Sequence, residues 1–548
     1  IWDSPVTGTV ARLSFATLRE RTARLAGGLQ ALGVGPGDRV LISMPPVPEA
    51  VIAMLACARL GAVHVVVFTG FSPGELAARI DDTTPVAVVS ASCFHVGSRP
   101  LAHVPVMQDA LAAAAHRPSA WVLLDRTPDG GRLPPWSQGV QATDYRIAEA
   151  AEPVDPVVLP ATAPLYILHS SGTTGHPKGI VRDCGGYAVA MQRSMRLVYG
   201  LPEGGVFCTT ADLGWVVGHS YGVYGPLIAG CTTVLYEGGI TGTPDAAVLW
   251  RLCAAHQVDV LFTSPSALRA VRAVDPGAAG AAAHDLRALQ AVFLAGERAD
   301  PALLDWARTA MGVPVHDHWW QTETGWCVAG PRVSDQPPMT AMPGFVLRCL
   351  DPDGREQEPG ASGELVLRLP LPPGCLAGLW RDPERMDALY LRDRPGYFRT
   401  FDYGRIDAEG GVAVLSRIDD VIKVAGRLVA TGPIEDVLMA HPDVTDCVVI
   451  GCDDELRGQR PVAYVVAKSN MDASWQKQLQ YDLIASVRGA IGGFLGLRRI
   501  ILCEALPRTR SGKILRRRLA HDVAPIRDNA VVRQEAALND VSSNKFGS

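Results

Sequence analysis

Between Phe15 and Ser92 the apolar positions follow two alternating periods. Residues 17–32 repeat at the three-to-four spacing of an amphipathic helix, and residues 38–44 form a short apolar run (Arg-Val-Leu-Ile-Ser at its centre). A second helical pattern covers 48–60, residues 63–68 read as a strand, a helix begins at Pro73, and 86–90 is again strand-like. Strand-length apolar runs separated by helix-length periods predict right-handed βαβ units and a parallel sheet. The alternation returns from Val206 to Trp320, with strands at 206–210, 232–236, 260–263 and 291–294. Two doubly wound sheets are expected.

Between Gly344 and Ser416 the pattern shortens to strands punctuated by Gly and Pro, as in 363–368 and 411–416, which suits a small β-barrel region. After Arg417 a compact α+β pattern begins, with helices at 432–440 and 477–490 and strands at 447–450 and 462–466. The predicted fold class is therefore α/β: a large N-terminal domain of two doubly wound sheets plus the β-barrel region, then a small, mobile α+β C-terminal domain. The expected boundaries are 1–418, 419–524 and a polar tail at 525–548.

Composition narrows the picture by exclusion. A chain of 548 residues with a formal net charge of -5 has no basic footprint for nucleic acid, so specificity must sit in a local site. The 12 cysteines include no CxxC pair, which predicts reduced thiols in a reducing compartment, the cytoplasm or the mitochondrial matrix. The longest apolar stretch, 51–68, is broken by Arg59, Gly61 and His64, so no membrane span is expected. The chain opens at Ile1 already inside a structural pattern, so residues are expected upstream and targeting cannot be read. Oligomeric state has no sequence signal.

The run Ser170-Ser-Gly-Thr-Thr-Gly-His-Pro-Lys-Gly179 follows the strand-like 165–168 and holds three glycines, four hydroxyls and one lysine. Glycines let backbone N–H groups approach phosphate oxygens, hydroxyls add donors, and Lys178 adds a point charge. It is not a Walker A motif, because Gly179 follows the lysine. Composition alone also allows a polar surface turn.

Trp319-Trp-Gln-Thr-Glu-Thr-Gly325 follows a strand expected at 313–318, placing a carboxylate at a strand's carboxyl end, where open α/β sheets bind ligands. Glu323 is a candidate Mg²⁺ ligand, since magnesium takes one or two carboxylates plus phosphate oxygens and water. A helix-capping cluster is the alternative. His316 and His318 share a strand face but have no third ligand at a convincing spacing, which points to structural histidines.

The order of these residues closely resembles the acyl-adenylate-forming superfamily, whose signature loop is similar to Ser171-Gly-Thr-Thr-Gly-His-Pro-Lys-Gly179. The resemblance runs in register from Asp3 to Leu519. The wording Ile180-Val-Arg-Asp183, Thr210-Ala-Asp-Leu-Gly-Trp215 and Gly218-His-Ser-Tyr221 resembles the acetyl- and propionyl-CoA synthetase branch. It implies an AMP-forming ligase that uses ATP, Mg²⁺ and coenzyme A on a short-chain carboxylate.

The same resemblance assigns roles. Ser171, Gly172, Thr173, Thr174, Gly175 and Lys178 would bind the phosphates, while Gly296, Glu297, Asp317, Trp319, Trp320, Gln321 and Thr322 would line the nucleotide. Asp402 would accept both ribose hydroxyls and Arg417 would contact the same nucleotide. Lys513 would supply charge to the adenylation transition state, with Lys178 and Glu323 beside it, and Asp419 would be the hinge about which the small domain turns. Gly426, Arg427 and Arg488 would meet coenzyme A, although a helix-surface role for Arg488 stays open.

Two positions depart from or refine that pattern. Where the family usually carries Gly-His-Arg, this chain has Gly426-Arg-Leu428, which loses the second cation. The acyl pocket would be Val216, Val217, Ala295 and Trp320, with the indole excluding long chains. Ala295 stands where acetate enzymes commonly have Val; the freed space suits one more carbon, a preference of roughly 1 to 3 kcal/mol. Propionate is therefore favoured over acetate. A carrier-protein adenylating enzyme and a nucleotide-binding relic that has lost its second step are the alternatives.

Overall fold

The structure is a computed structural model that describes residues 1–127, 141–170, 177–240, 242–331, 339–424, 427–454, 458–468, 472–508 and 514–521. The predicted alternation of periods is present. The helix Phe15–Ala31 starts at Ser14, whose Oγ accepts from Thr17 N at 3.1 Å, and the strand Arg39–Ser43 follows with four buried residues. The helix Pro48–Leu60 ends at Gly61, whose φ of 71° is a left-handed conformation suited to glycine, and the strand Val63–Val66 follows at once. This is why the apolar stretch 51–68 bends back on itself; among the described residues no helix is long and apolar enough to cross a membrane.

Both large sheets are mainly parallel. The first runs in the order Gly378–Leu379, Lys178–Asp183, Pro164–Ser170, Val63–Val66, Arg39–Ser43, Ala87–Ala91, Ala120–Leu124 and Gln141–Asp144. Its antiparallel pairings are at one edge, where Lys178–Asp183 pairs with Pro164–Ser170, Ser170 facing Lys178, and with Gly378–Leu379 on its other side. The second runs Val315–Asp317, Ala291–Leu294, Val260–Thr263, Val206–Thr209, Thr232–Tyr236, Trp2–Ser4 and Thr9–Ala11. In both, the first long strand has neighbours on either side that come later in the chain, the arrangement that opens a ligand crevice at the strands' carboxyl ends.

The Gly- and Pro-punctuated region forms a six-stranded antiparallel sheet ordered Ala329–Gly330, Met339–Ala341, Gly411–Arg417, Tyr397–Ile406, Ser362–Arg368 and Leu347–Leu350. From Ile422 onward a separate sheet pairs the long hairpin Val444–Asp454 and Gly458–Ala467, with Arg499–Leu502 parallel to the latter. Ile422, Ile434, Leu438, Val449, Leu483 and Ile500 belong to a core of their own, as an independent domain requires.

Several boundaries differ from expectation. The helix expected at 477–490 begins earlier, as Ala473–Ala490, because Asp472 accepts from Trp475 N at 2.9 Å and caps it. The strand expected at 447–450 extends to Val444–Asp454, carried past its apolar centre by ladder pairing. The strand expected at 313–318 is only Val315–Asp317, so His318 already lies in the following loop. All 12 cysteines are free thiols.

Candidate active site

The hairpin pairs Ser170 with Lys178, the two residues that bracket the run expected to bind phosphates. Ser171, Gly172, Thr173, Thr174 and Gly175 lie outside the described residues, as do Gly426 and Lys513. Lys178 leaves the strand end pointing at two partners, Tyr390 OH at 2.7 Å and Glu323 Oε1 at 3.2 Å. Tyr390 OH donates to the same Glu323 oxygen at 2.6 Å. Burial alone would raise the Glu323 carboxyl; the Lys178 ammonium and the Tyr390 hydroxyl outweigh it and hold the group below the ordinary glutamate range. A cavity of about 160 Å³ opens beside Lys178, lined also by Asp82, Trp380, Arg381 and Arg385.

Asp402 is aimed by a backbone irregularity. In the ladder between Ser362–Arg368 and Tyr397–Ile406, Leu365 faces Asp402 but the next residue faces Arg399, so Thr400 and Phe401 form a bulge. Phe401 takes φ 59°, a left-handed conformation costly for an aromatic residue and typical of places where backbone strain aims a side chain. The buried Asp402 carboxylate then accepts from Trp319 Nε1 at 2.8 Å and Gln321 Nε2 at 2.5 Å on one oxygen, and from Arg417 at 3.1 Å on the other. Arg417 stands directly across the ladder from Asp402, which explains how residues so far apart in sequence meet.

The adenine edge expected at Gly296, Glu297 and Asp317 forms where two parallel strands end side by side, Leu294 opposite Asp317. Gly296 has φ 97° and nothing within 4 Å of where a Cβ would sit. Glu297 is committed elsewhere: its carboxylate takes Ser266 Oγ at 2.5 Å and Arg269 at 2.8 Å, with Arg508 at 3.7 Å. Asp317 accepts a long bond from Ala299 N, 3.3 Å, and desolvation by the surrounding protein pushes its pKa up to about 7, against the opposing pull of that bond, of Arg298 and of the His318 backbone.

The acyl-pocket set falls in one apolar cluster: Ala295 and Trp320 are buried in it, and Val216 and Val217 pack against it. Trp320 meets Tyr221 edge-on, with ring centroids 5.4 Å apart. Tyr221 belongs to the π-helical turn Gly218–Tyr224, which begins directly after Val217; such turns recur at functional sites. The two histidines have structural duties. His318 uses both ring nitrogens, to Tyr199 OH at 3.0 Å and Leu294 O at 2.7 Å, and burial lowers its pKa to about 4. His316 packs against Phe293. Among the described residues no cluster of three His, Cys, Asp or Glu could hold a metal.

Arg488 is exposed near the end of its helix, Arg427 is exposed on an edge strand, and Leu428 beside it is 45% exposed. Asp419 lies in the single 3-10 turn Ile418–Asp420 that links the two sheets on either side of it. Two contributors were missed. Tyr390 ends a helix, Pro383–Tyr390, that carries no motif, and nothing local marked it. Arg182 lies two residues after the buried Ile180 on one strand face and is itself fully buried; that period of two in an apolar strand was the available signal.

A lysine–glutamate pair beside a glycine- and hydroxyl-rich run, and a carboxylate suited to a diol within the strand Tyr397–Ile406, are chemically compatible with a nucleotide. A family model described as AMP-binding enzyme matches residues 3–378, and one described as AMP-binding enzyme C-terminal domain matches 433–513. The chain belongs to the AMP-binding enzyme family. It is 43% identical over 528 residues to the mitochondrial acyl-CoA synthetase short-chain family member 3 of Rattus norvegicus, covering 95% of this chain and 77% of that protein. It is 39% identical to the propionate–CoA ligase of Salmonella typhimurium, covering 92% and 82%. The solved acetoacetyl-CoA synthetase from Streptomyces lividans superposes with a TM-score of 0.84 at 25% identity, covering 95% of this chain and 79% of that one.

Proposed function

We propose that this protein activates a short-chain carboxylic acid with ATP, releasing pyrophosphate and forming acyl-AMP, and then transfers the acyl group to coenzyme A with release of AMP. Propionate is the preferred acid. The observation that carries this reading is that one short segment, 319–323, serves three subsites at once. Trp319 and Gln321 reach Asp402, Trp320 enters the apolar cluster, and Glu323 reaches Lys178. A segment built this way holds the ribose, acyl and phosphate ends of an acyl-adenylate in fixed relation, the positioning an adenylating enzyme needs.

Asp402 accepts the ribose diol with lone pairs that its three present donors leave over. Lys178 neutralises the polyphosphate. Glu323 fits Mg²⁺ by donor chemistry, being a single carboxylate held by Lys178 and Tyr390 with acceptor capacity to spare; when bound, the ion would screen phosphate charge. Lys513 supplies the cation between acid and α-phosphate, and the small domain, 419–524, turns about Asp419 to exchange it for a coenzyme A face that includes Gly426, Arg427 and Arg488. The synthetase and ligase named among the relatives support both the ligase class and propionate as its acid.

The exposed Leu428, where the pattern calls for a cation, favours a second reading: an adenylating protein weak in the coenzyme A step. Steady-state kcat/KM for acetate, propionate and butyrate with free coenzyme A tests both. Propionyl-CoA as the fastest product is expected. A preference for acetate defeats the Ala295 argument, and pyrophosphate exchange without thioester establishes the second reading.

A further inference from the structure

Arg182 is fully buried on the strand Lys178–Asp183, yet no carboxylate of a described residue lies within ion-pair distance of it. Its guanidinium is satisfied by neutral acceptors: Glu323 O at 3.0 Å, Gly374 O at 2.8 Å, Thr322 O, and Tyr166 OH at 3.2 Å. Burying a cation with no counter-ion is costly, and here it is spent on the backbone of two loops rather than on an ion pair. One of those loops is the segment that carries Glu323. A fork of five donors fits carbonyls on two loops simultaneously; the single ammonium of lysine does not.

The packing is closed around this contact. Gly325 takes φ 75°, and a Cβ there would sit 2.7 Å from Arg182 Cζ and from Gly374 O. Its carbonyl accepts from Ser220 Oγ at 2.9 Å, and Ser220 is joined to Tyr187 OH at 2.8 Å. The clamp therefore sits between the phosphate-facing end of 319–323 and the π-helical turn that follows Val217.

We propose that Arg182 is a positioning residue that pins Thr322 and Glu323 to the Gly374 loop and so fixes the Glu323 carboxylate beside Lys178 for the polyphosphate end of ATP. The inference rests on the reading above. The ribose end of the segment is held separately, by Asp402 and Thr400 O, so the two ends respond differently when the clamp is lost.

Calorimetric titration without acid, using ATP with Mg²⁺ and then AMP, separates them. Arg182→Lys is expected to weaken ATP with Mg²⁺ by about tenfold and AMP by less than about twofold, with circular dichroism unchanged. Tyr166→Phe removes one acceptor and is expected to show about threefold in the same direction; it carries the test if Arg182→Lys does not fold. Equal weakening of both nucleotides, or of neither, in a folded variant overturns the clamp. Wild-type protein that binds neither nucleotide removes the functional reading and the clamp with it.

Discussion

The proposed nucleotide side of the molecule and the proposed coenzyme A face are built to different standards. On the nucleotide side charged groups hold one another: Lys178, Glu323 and Tyr390 form a closed triangle, and three donors surround Asp402. On the other face Arg488 is exposed and makes no hydrogen bond or ion pair with a described residue, and Leu428 presents 45% of its surface. Dipoles fixed before the reaction lower a barrier because they need not reorganise during it. Under the proposed domain turn, Arg488 acts only in the second orientation and needs no fixed partner in this one. Across the seam, Arg298 pairs with Asp436 and Arg508 reaches Ser266 at 3.1 Å, so the described arrangement has its own interdomain contacts.

Replacing the proposed adenylation lysine should break the comparison most severely. Lys513→Ala is expected to lower acid-dependent pyrophosphate exchange by about 10² to 10³-fold, the range for losing a group that stabilises developing charge. Thioester formation from supplied acyl-AMP should survive within about threefold. Loss of both half-reactions in a folded variant removes the hinge account. A smaller effect, confined to the nucleotide side, comes from Ala295→Val. Filling that buried position should lower the ratio of kcat/KM for propionate over acetate by about tenfold, within the 1 to 3 kcal/mol range for such crowding. An unchanged ratio means the pocket wall lies elsewhere.

Much of the nucleotide side was legible because its chemistry is concentrated in runs. Lys178 and Glu323 announce themselves by their neighbours, and alternating periods located most of the parallel strands. What escaped depends on contacts between runs. Tyr390 completes the triangle from a helix more than two hundred residues after Lys178, and its amphipathic surroundings look like any surface helix. The bulge at Phe401 had no signal, since a left-handed phenylalanine contradicts local preference and is imposed by the sheet. That Glu297 also holds Ser266 and Arg269 had no local signal, because those partners lie in another run. Element ends moved for the same reason: Asp472 as a cap and ladder pairing at Val444 are decided by partners.

Restoring a cation to the weaker face should narrow the contrast. Leu428→Arg is expected to raise the rate of thioester formation from acyl-AMP about three- to tenfold, as one exposed charge contact of roughly 1 kcal/mol would, while pyrophosphate exchange stays within twofold. If the rate falls or does not change, the second cation has no place in this chain, and Arg427 or a different loop register does its work.

The mildest effect concerns protons on the nucleotide side. Asp317 sits at a strand end with its pKa pushed up to about 7 by desolvation, against an ordinary aspartate near 3.9 in the unfolded chain. Between those values the folded state binds the proton more tightly, so the stability this group contributes is complete below about pH 4 and is lost as pH rises through about 7. Asp317→Asn cannot titrate. The variant should therefore gain on wild type as pH is raised from 4 to 7 and keep a constant offset above that, by up to about 1.4 kcal/mol per pH unit and less where the partly exposed carboxyl is screened. Thermal melts of both proteins at matched pH values read this directly, because subtracting one curve from the other cancels every other titrating group. A difference in Tm that is flat from pH 4 to 8 would show that Asp317 ionises as an ordinary carboxylate, and that desolvation at this strand end does not hold its proton.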